Sequence, residues 1–176
     1  MKLFYNIKIF LLLFLVFIIL SGCGYKPSAK FSRDVLGEKI STSVIISVQD
    51  PENTVVIKDE IDRAVVEVFQ ASLVSRSVSD THLVIKMNEP SYAPITYDVN
   101  GYITGYRMSV VLNIEKYTNG SSKNYTTRGF YDFSVAPNAI VTDQDRFEAI
   151  GFAAQRAIKS FAAQVSAEGA RAEKQQ

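Results

Sequence analysis

"YDVNGYITGYRMSVVLNIEKYTNG", residues 97–120, decides the fold of this chain. Asn100-Gly101 and Asn119-Gly120 bracket it, and both dipeptides tolerate the positive φ that tight hairpin turns demand. Between them Tyr102, Tyr106, Met108, Val110, Leu112 and Ile114 alternate onto one face, while Arg107, Ser109 and Asn113 take the other. A period of two over that length describes a strand with one buried face. Gly105 interrupts the run and marks a bulge or bend. A turn at each end requires a neighbouring strand on each side, and both are present. His82–Asn88 carries Leu83, Ile85 and Met87 inward; Asn124–Val135 places Tyr125, Tyr131, Phe133 and Val135 on a shared face. Pro90 and Pro94 break the ladder between the first pair, leaving room for a short extra strand near residues 95–99. The stretch from Thr81 to Val135 therefore reads as an antiparallel meander.

Outside the meander the pattern changes period. Lys39–Val48 is a further strand, with Ile40, Val44, Ile46 and Val48 on one face. Asp50-Pro51-Glu52-Asn53 is turn and cap chemistry. The spacing of Ile57, Ile61, Val65, Val68, Phe69 and Leu73 predicts a helix over 54–75, with Asn53 or Thr54 as N-cap and Asp59 and Asp62 in its early turns. Thr142-Asp143-Gln144-Asp145 resembles a capping box with Asp in the usual Glu position. It opens a second helix, to about Ser166, whose buried stripe is Phe147, Ile150, Ala154, Ala157, Ile158, Phe161 and Val165. The expected fold class is α+β: a two-layer sandwich in which a mostly antiparallel four-stranded sheet is packed on one face by two α-helices, in the order β-α-β-β-β-α. The domain spans 39–166, and 167–176 is a polar, frayed tail.

The N-terminal segment has a separate logic. Lys2 and Lys8 precede an unbroken apolar run, Ile9–Leu20, shorter than the roughly 20 residues of a membrane span but suited to a secretory signal. Leu20-Ser21-Gly22-Cys23 resembles a bacterial lipobox. That resemblance implies a signal peptide over 1–22, cleavage before Cys23, a diacylglyceryl group on its sulfur and an acyl group on its new amine. Residues 23–38, with Lys, Pro, Ser and Gly, then form the lipidated start and a tether. Gly24 is compatible with outer-membrane sorting. Two other readings stand beside this one: an inert apolar cysteine in an uncleaved anchor, and ordinary signal cleavage near Gly22.

The search for chemistry excludes more than it finds. The chain has 176 residues, 19 Lys and Arg, and 18 Asp and Glu, so its balanced charge gives no electrostatic footprint for nucleic acid. One cysteine forms no intramolecular disulfide. His82 is the sole histidine, at the start of a strand, and a surface or strand-end role suits it better than catalysis. Asp143 and Asp145 fit helix capping, and Asp59, Glu60 and Asp62 fit a solvated helix start. No nucleophile, metal or phosphate-cradling motif occurs, so neither an enzyme nor a cofactor is expected. What remains is a set of cations: Arg107 and Arg128 on strands, Lys116 and Lys123 flanking the Asn119-Gly120 turn. Beside exposed aromatic residues they suit an amphipathic anionic ligand such as a phosphorylated glycolipid. On the residues alone they suit solubilising charges and edge-protecting lysines better.

Three features converge on a family: Gly24-Tyr25 directly after the lipobox, the Asp50-Pro51 turn into the first helix, and Asp98-x-x-Gly101-x-Ile103-x-x-Tyr106-x-Met108 opening a long strand. In this the chain resembles the LptE family, lipoprotein subunits of the outer-membrane lipopolysaccharide translocon, over nearly the whole mature chain in element order. The resemblance implies a sheet-plus-two-helices fold, residence as a plug within the β-barrel LptD, support of that barrel's assembly, and binding of lipopolysaccharide. Arg107, Lys116, Lys123 and Arg128 are ligand candidates by their chemistry rather than by alignment. The competing reading is an auxiliary lipoprotein of an ABC-type envelope export system.

Overall fold

The structure, a computed structural model, describes residues 28–45, 51–137 and 139–175. The expected signal segment, Cys23, strand residues Ile46 and Val48, and the side chains of Asn53 and Thr54 lie outside the described residues. The order is α1 (Ser28–Leu36), β1 (Lys39–Val44), α2 (Pro51–Glu67), β2 (Ser72–Leu73), a 3-10 turn (Arg76–Val78), β3 (Thr81–Met87), β4 (Ser91–Tyr97), β5 (Ile103–Thr118), β6 (Ser121–Ser134) and α3 (Asp143–Glu173).

β5 is the spine. One of its edges is followed by β6 from Gly105↔Ser134 to Thr118↔Ser121. Its other edge is shared end to end: β3 pairs with Leu112–Thr118 and β4 with Ile103–Ser109, both antiparallel. β3 and β4 are thus one strand line broken at Asn88–Pro90, where the proline pattern called for a break. The expected irregularity at Gly105 lies in its partner: Thr96, opposite Gly105, sits between two register shifts of β4.

The expectation of a mostly antiparallel four-stranded sheet with two helices is corrected on three counts. First, the sheet has six strands and is mixed, because β1 lies parallel to both β2 and β3. The α2 crossover carries the chain back to the starting end of the sheet, so the next strand must run the same way. Second, α2 ends at Glu67 rather than Ser75. Gln70 turns into the left-handed region at φ 52°, and Ala71 N–H returns to the Val65 carbonyl at 3.0 Å. Leu73, at helical spacing, therefore falls in β2 and is exposed. Third, an additional helix, α1, occupies Ser28–Leu36 where a tether was expected. Ala29, Ser32 and Leu36 are buried, a three-four spacing that makes one stripe. α1 covers the last turns of α3, which is why α3 continues to Glu173 instead of ending near Ser166. Gly169 is buried there, with Lys30 and Glu173 3.8 Å apart and the Ser32 and Ser166 hydroxyls 2.7 Å apart.

The capping box forms as read: the Thr142 hydroxyl accepts from Asp145 N–H at 3.1 Å, and Asp145 accepts from Thr142 N–H at 3.0 Å. α3 then lies on the sheet face made by Met108, Val110, Leu112 and Ile114 of β5 and by the β6 face carrying Tyr125 and Thr127. Phe161 is the hub. It is fully buried, edge-on to Phe69 at 5.8 Å and to Tyr125 at 5.2 Å, and such a ring contributes about 2–3 kcal/mol by burial. Phe147, expected in the stripe, is exposed. The α3 contact instead begins at Ala149, because small side chains let the helix seat against β6. At Gly129 a Cβ would lie 1.9 Å from the Ala153 carbonyl oxygen and 2.5 Å from Ala157 N, so the α3 backbone rests directly on the strand.

Candidate functional site

Strand parity separates the four candidate cations. Even residues of β5 and odd residues of β6 face the helices; the alternate residues face the open side. Arg107 and Arg128 lie on the open face. Lys116 and Lys123 point to the helix side, at the turn end of the β5–β6 hairpin. The structure brings the two lysines together and the two arginines onto one face, but it does not form one cluster of four.

The lysine pair is a built feature. Lys116 and Lys123 are directly opposite in register, an arrangement that repels if nothing intervenes. Glu168 of α3 intervenes: Lys123 Nζ is 2.7 Å from its Oε2, and the Tyr125 hydroxyl donates to the same oxygen at 2.7 Å. Burial alone would raise the Glu168 carboxyl, but the bonds from Lys123 and Tyr125 and the nearby charges of Lys123 and Lys116 outweigh it and hold it below the ordinary carboxylate value. The Tyr125 phenol is pushed well up, first by burial and then by its bond to Glu168. Lys116 donates to the Val35 carbonyl at the end of α1 at 3.3 Å, and its ammonium is shifted down, chiefly by burial. Lys123, Tyr125, Gln164, Glu168 and Arg171 line an open cleft of about 580 Å³ at this end of the molecule.

On the open face Arg107 forms a two-pronged ion pair with Asp132, directly opposite it, at 2.7 and 2.8 Å. The pair holds the Asp132 carboxyl down and the Arg107 guanidinium up. The guanidinium also lies 5.9 Å from the centre of the half-exposed Phe130 ring. Arg128 stands opposite Val111, exposed, and has no ion-pair partner among the described residues. Next along β5, Asn113 donates to Asn88 at 2.9 Å and accepts from Thr126 at 3.0 Å, a polar ladder across three segments.

His82 is not a surface group. It is buried between β1 and β3, with Nδ1 2.8 Å from the Ser41 hydroxyl, which donates to Ser79 at 2.9 Å. Burial first, and Arg76 second, keep its pKa below the ordinary histidine value. Asp62 accepts from Thr42 at 2.5 Å and from Lys58, which fastens α2 to β1. Asp145 serves the cap. Among the described residues no three His, Cys, Asp or Glu side chains converge as metal ligands would. Sequence reasoning passed over Glu168 because it fell in the stretch taken as a polar tail. The parity of Lys116 and Lys123, readable along each strand, was the signal that they share the helix side.

The family model described as LptE, lipopolysaccharide-assembly, matches residues 42–165. No sequence among the curated proteins matches the chain. Among solved structures, a minor lipoprotein of Acinetobacter baumannii is similar with a TM-score of 0.50 at 9% identity, covering 76% of this chain and 94% of that one. A lipoprotein candidate from Caulobacter crescentus is similar with a TM-score of 0.51 at 14% identity, covering 82% and 96%. Lipoprotein B of Nitrosomonas europaea gives 0.50 at 11%, covering 76% and 84%. At these identities the likeness is one of fold.

Proposed function

The chain belongs to the LptE lipopolysaccharide-assembly family, and on that footing we propose that it is an outer-membrane lipoprotein, acylated at Cys23, that plugs an LptD-like β-barrel, assists its assembly and binds lipopolysaccharide in transit. It works by fitting and holding rather than by breaking bonds. The family match over 42–165 carries this reading.

The shape supports it. α3, with 31 residues, is about 46 Å long, close to the thickness of a bilayer with its headgroups. A wedge of that length suits the interior of a barrel that crosses the membrane. No helix among the described residues is long and apolar enough to cross by itself. For the ligand, Arg128 and Lys123 are the foremost candidates. Arg128 keeps its charge free of an ion pair among the described residues, and Lys123 is half-exposed at the mouth of the cleft. Arg107 is matched by Asp132 as Lys123 is by Glu168, but it lies on the open sheet face away from the cleft, and Lys116 is tucked against α1, so both are secondary contributors.

Affinity purification of the full-length protein from detergent-solubilised outer membranes tests the reading. Recovery of a large barrel protein is the expected result. Recovery of an inner-membrane ATPase complex without a barrel would replace it with the export-system alternative. Arg128→Glu and Lys123→Gln are each expected to weaken binding of purified lipopolysaccharide about tenfold, the loss of one charge-assisted contact; the midpoint of Arg128→Glu stays near the parent's, and that of Lys123→Gln falls modestly because Glu168 loses its partner. Unchanged binding in both, and in Arg107→Glu, would leave these residues as surface charge. Cys23→Ala is expected to abolish labelling by a palmitate analogue.

A further inference from the structure

α1 is held at four points. Its backbone at Phe31 lies against Gly169, where a Cβ would come within 2.2 Å of the Phe31 carbonyl oxygen. The Ser32 and Ser166 hydroxyls meet at 2.7 Å, Lys30 faces Glu173 at 3.8 Å, and Lys116 donates to Val35 at 3.3 Å. Leu36 is fully buried below them. The first residues of α1 are therefore fixed beside the last turns of α3. The opposite end of the molecule is the β4–β5 turn with Val99 at its tip, the segment leading from β6 with Ile140, and the first turn of α3.

Ser28 lies five residues after Cys23. Five residues span at most about 17 Å, so with α1 docked the last turns of α3 stay near the lipid that holds Cys23. An undocked segment up to Lys39 would span up to about 55 Å, more than the length of α3, and either end of the molecule could then meet the bilayer. From this we infer that, in the lipoprotein free of its barrel, α1 is an orienting clamp: it stands the domain on the headgroups of its own membrane by the α1–α3 end and directs the Val99–Ile140 end away. The inference rests on the reading of Cys23 as acylated.

The chemistry of the two ends agrees. At the α1–α3 end Lys30 and Lys123 are matched by Glu173 and Glu168, while Arg171 and Lys174 beside them have no ion-pair partner among the described residues. They suit the phosphates of anionic lipid. At the far end residues 99–106 and 133–142 contain no charged side chain, and the flanking Asp98, Asp143 and Asp145 outnumber Arg146, so that end offers anionic lipid no net positive charge.

The chain has no tryptophan, so single Trp probes report without background. Full-length acylated Gln175→Trp and Val99→Trp proteins are placed in vesicles of phosphatidylethanolamine and phosphatidylglycerol carrying nitroxide-labelled headgroups. Quenching several-fold stronger at 175 than at 99 is expected. Adding Gly169→Ala, which forces α1 off α3, is expected to bring the two probes towards equality while both proteins stay on the vesicles. A Ser32→Cys/Ser166→Cys pair, oxidised to lock α1 down, is expected to keep the parent's difference. Equal quenching in the parent, or loss of the difference in the locked protein, overturns the clamp. An unchanged difference in Gly169→Ala, with α1 newly open to protease, also overturns it. If no acylated-form preparation floats with vesicles, the acylation reading fails first, which a flotation assay registers separately from the quenching ratio.

Discussion

Gly129 shows how much one missing side chain decides. A glycine within a strand weakens it, unless another backbone must come close. Here the carbonyl of Ala153 and the amide of Ala157 occupy the space a Cβ would take. Gly129→Ala is expected to push α3 off β6 and destabilise the protein by about 2–3 kcal/mol, the upper part of the usual cost of overpacking. Urea unfolding would read this as a lower midpoint at constant slope. A midpoint within error of the parent's would mean that α3 is not seated on β6 as described. Glu168 has similar leverage in electrostatic form, since it turns an opposed Lys116–Lys123 pair from repulsive into a three-way tie.

At the scale of elements, the outer strands are guarded differently. β6 presents a free edge along 14 residues, and α3 reaches over to cap it. Arg156 donates to the Phe130 carbonyl at 2.6 Å and Gln164 to the Thr126 carbonyl at 3.5 Å. β4, on the other side, carries Pro94 and two register shifts, which spoil it as a template. Removing the caps with Arg156→Ala/Gln164→Ala is expected to cost about 1–2 kcal/mol and to open β6 to strand pairing between copies. Light scattering after chromatography would then show mass rising with concentration. A variant that stays monomeric across the accessible range would show that the edge is protected in another way.

For the whole molecule the sensitive variable is pH, because several groups that join separate elements have depressed pKa values, His82 and Glu168 among them. His82 joins β1 to β3, and its folded value lies below 6.5. The unfolded chain therefore takes up that proton first, and stability falls as pH drops from above 6.5 towards the folded value. Glu168 joins α3 to the β5–β6 hairpin, and its folded value lies below 4.5. Its contribution is complete above 4.5 and is lost as pH falls through the folded value. Urea midpoints taken on acidification from neutral pH are expected to decline in two stages. His82→Asn is expected to remove the first stage and Glu168→Gln to shrink the second. A flat profile down to pH 5 in the parent would contradict the burial of His82.

The amino-acid order alone determined the meander and the final helix start. Met108, Val110, Leu112 and Ile114 must share a face at period two, and Thr142 with Asp145 caps a helix through neighbours in the chain. These are local interactions, complete within a few residues. The direction of β1, the end of α2 and the existence of α1 were decided by tertiary structure. Leu73 keeps helical spacing yet falls in a strand once Gln70 turns, and Ser28–Leu36 is helical over the groove beside Gly169. The site divides in the same way. The candidate cations could be named from the chain, and parity already separates Lys116 and Lys123 from Arg107 and Arg128. Which of them keeps a free charge was set by Asp132 and Glu168, partners 25 to 52 positions away whose approach is encoded in no local pattern. Burial and pairing depend on distant segments meeting, and no periodicity within one segment can register that.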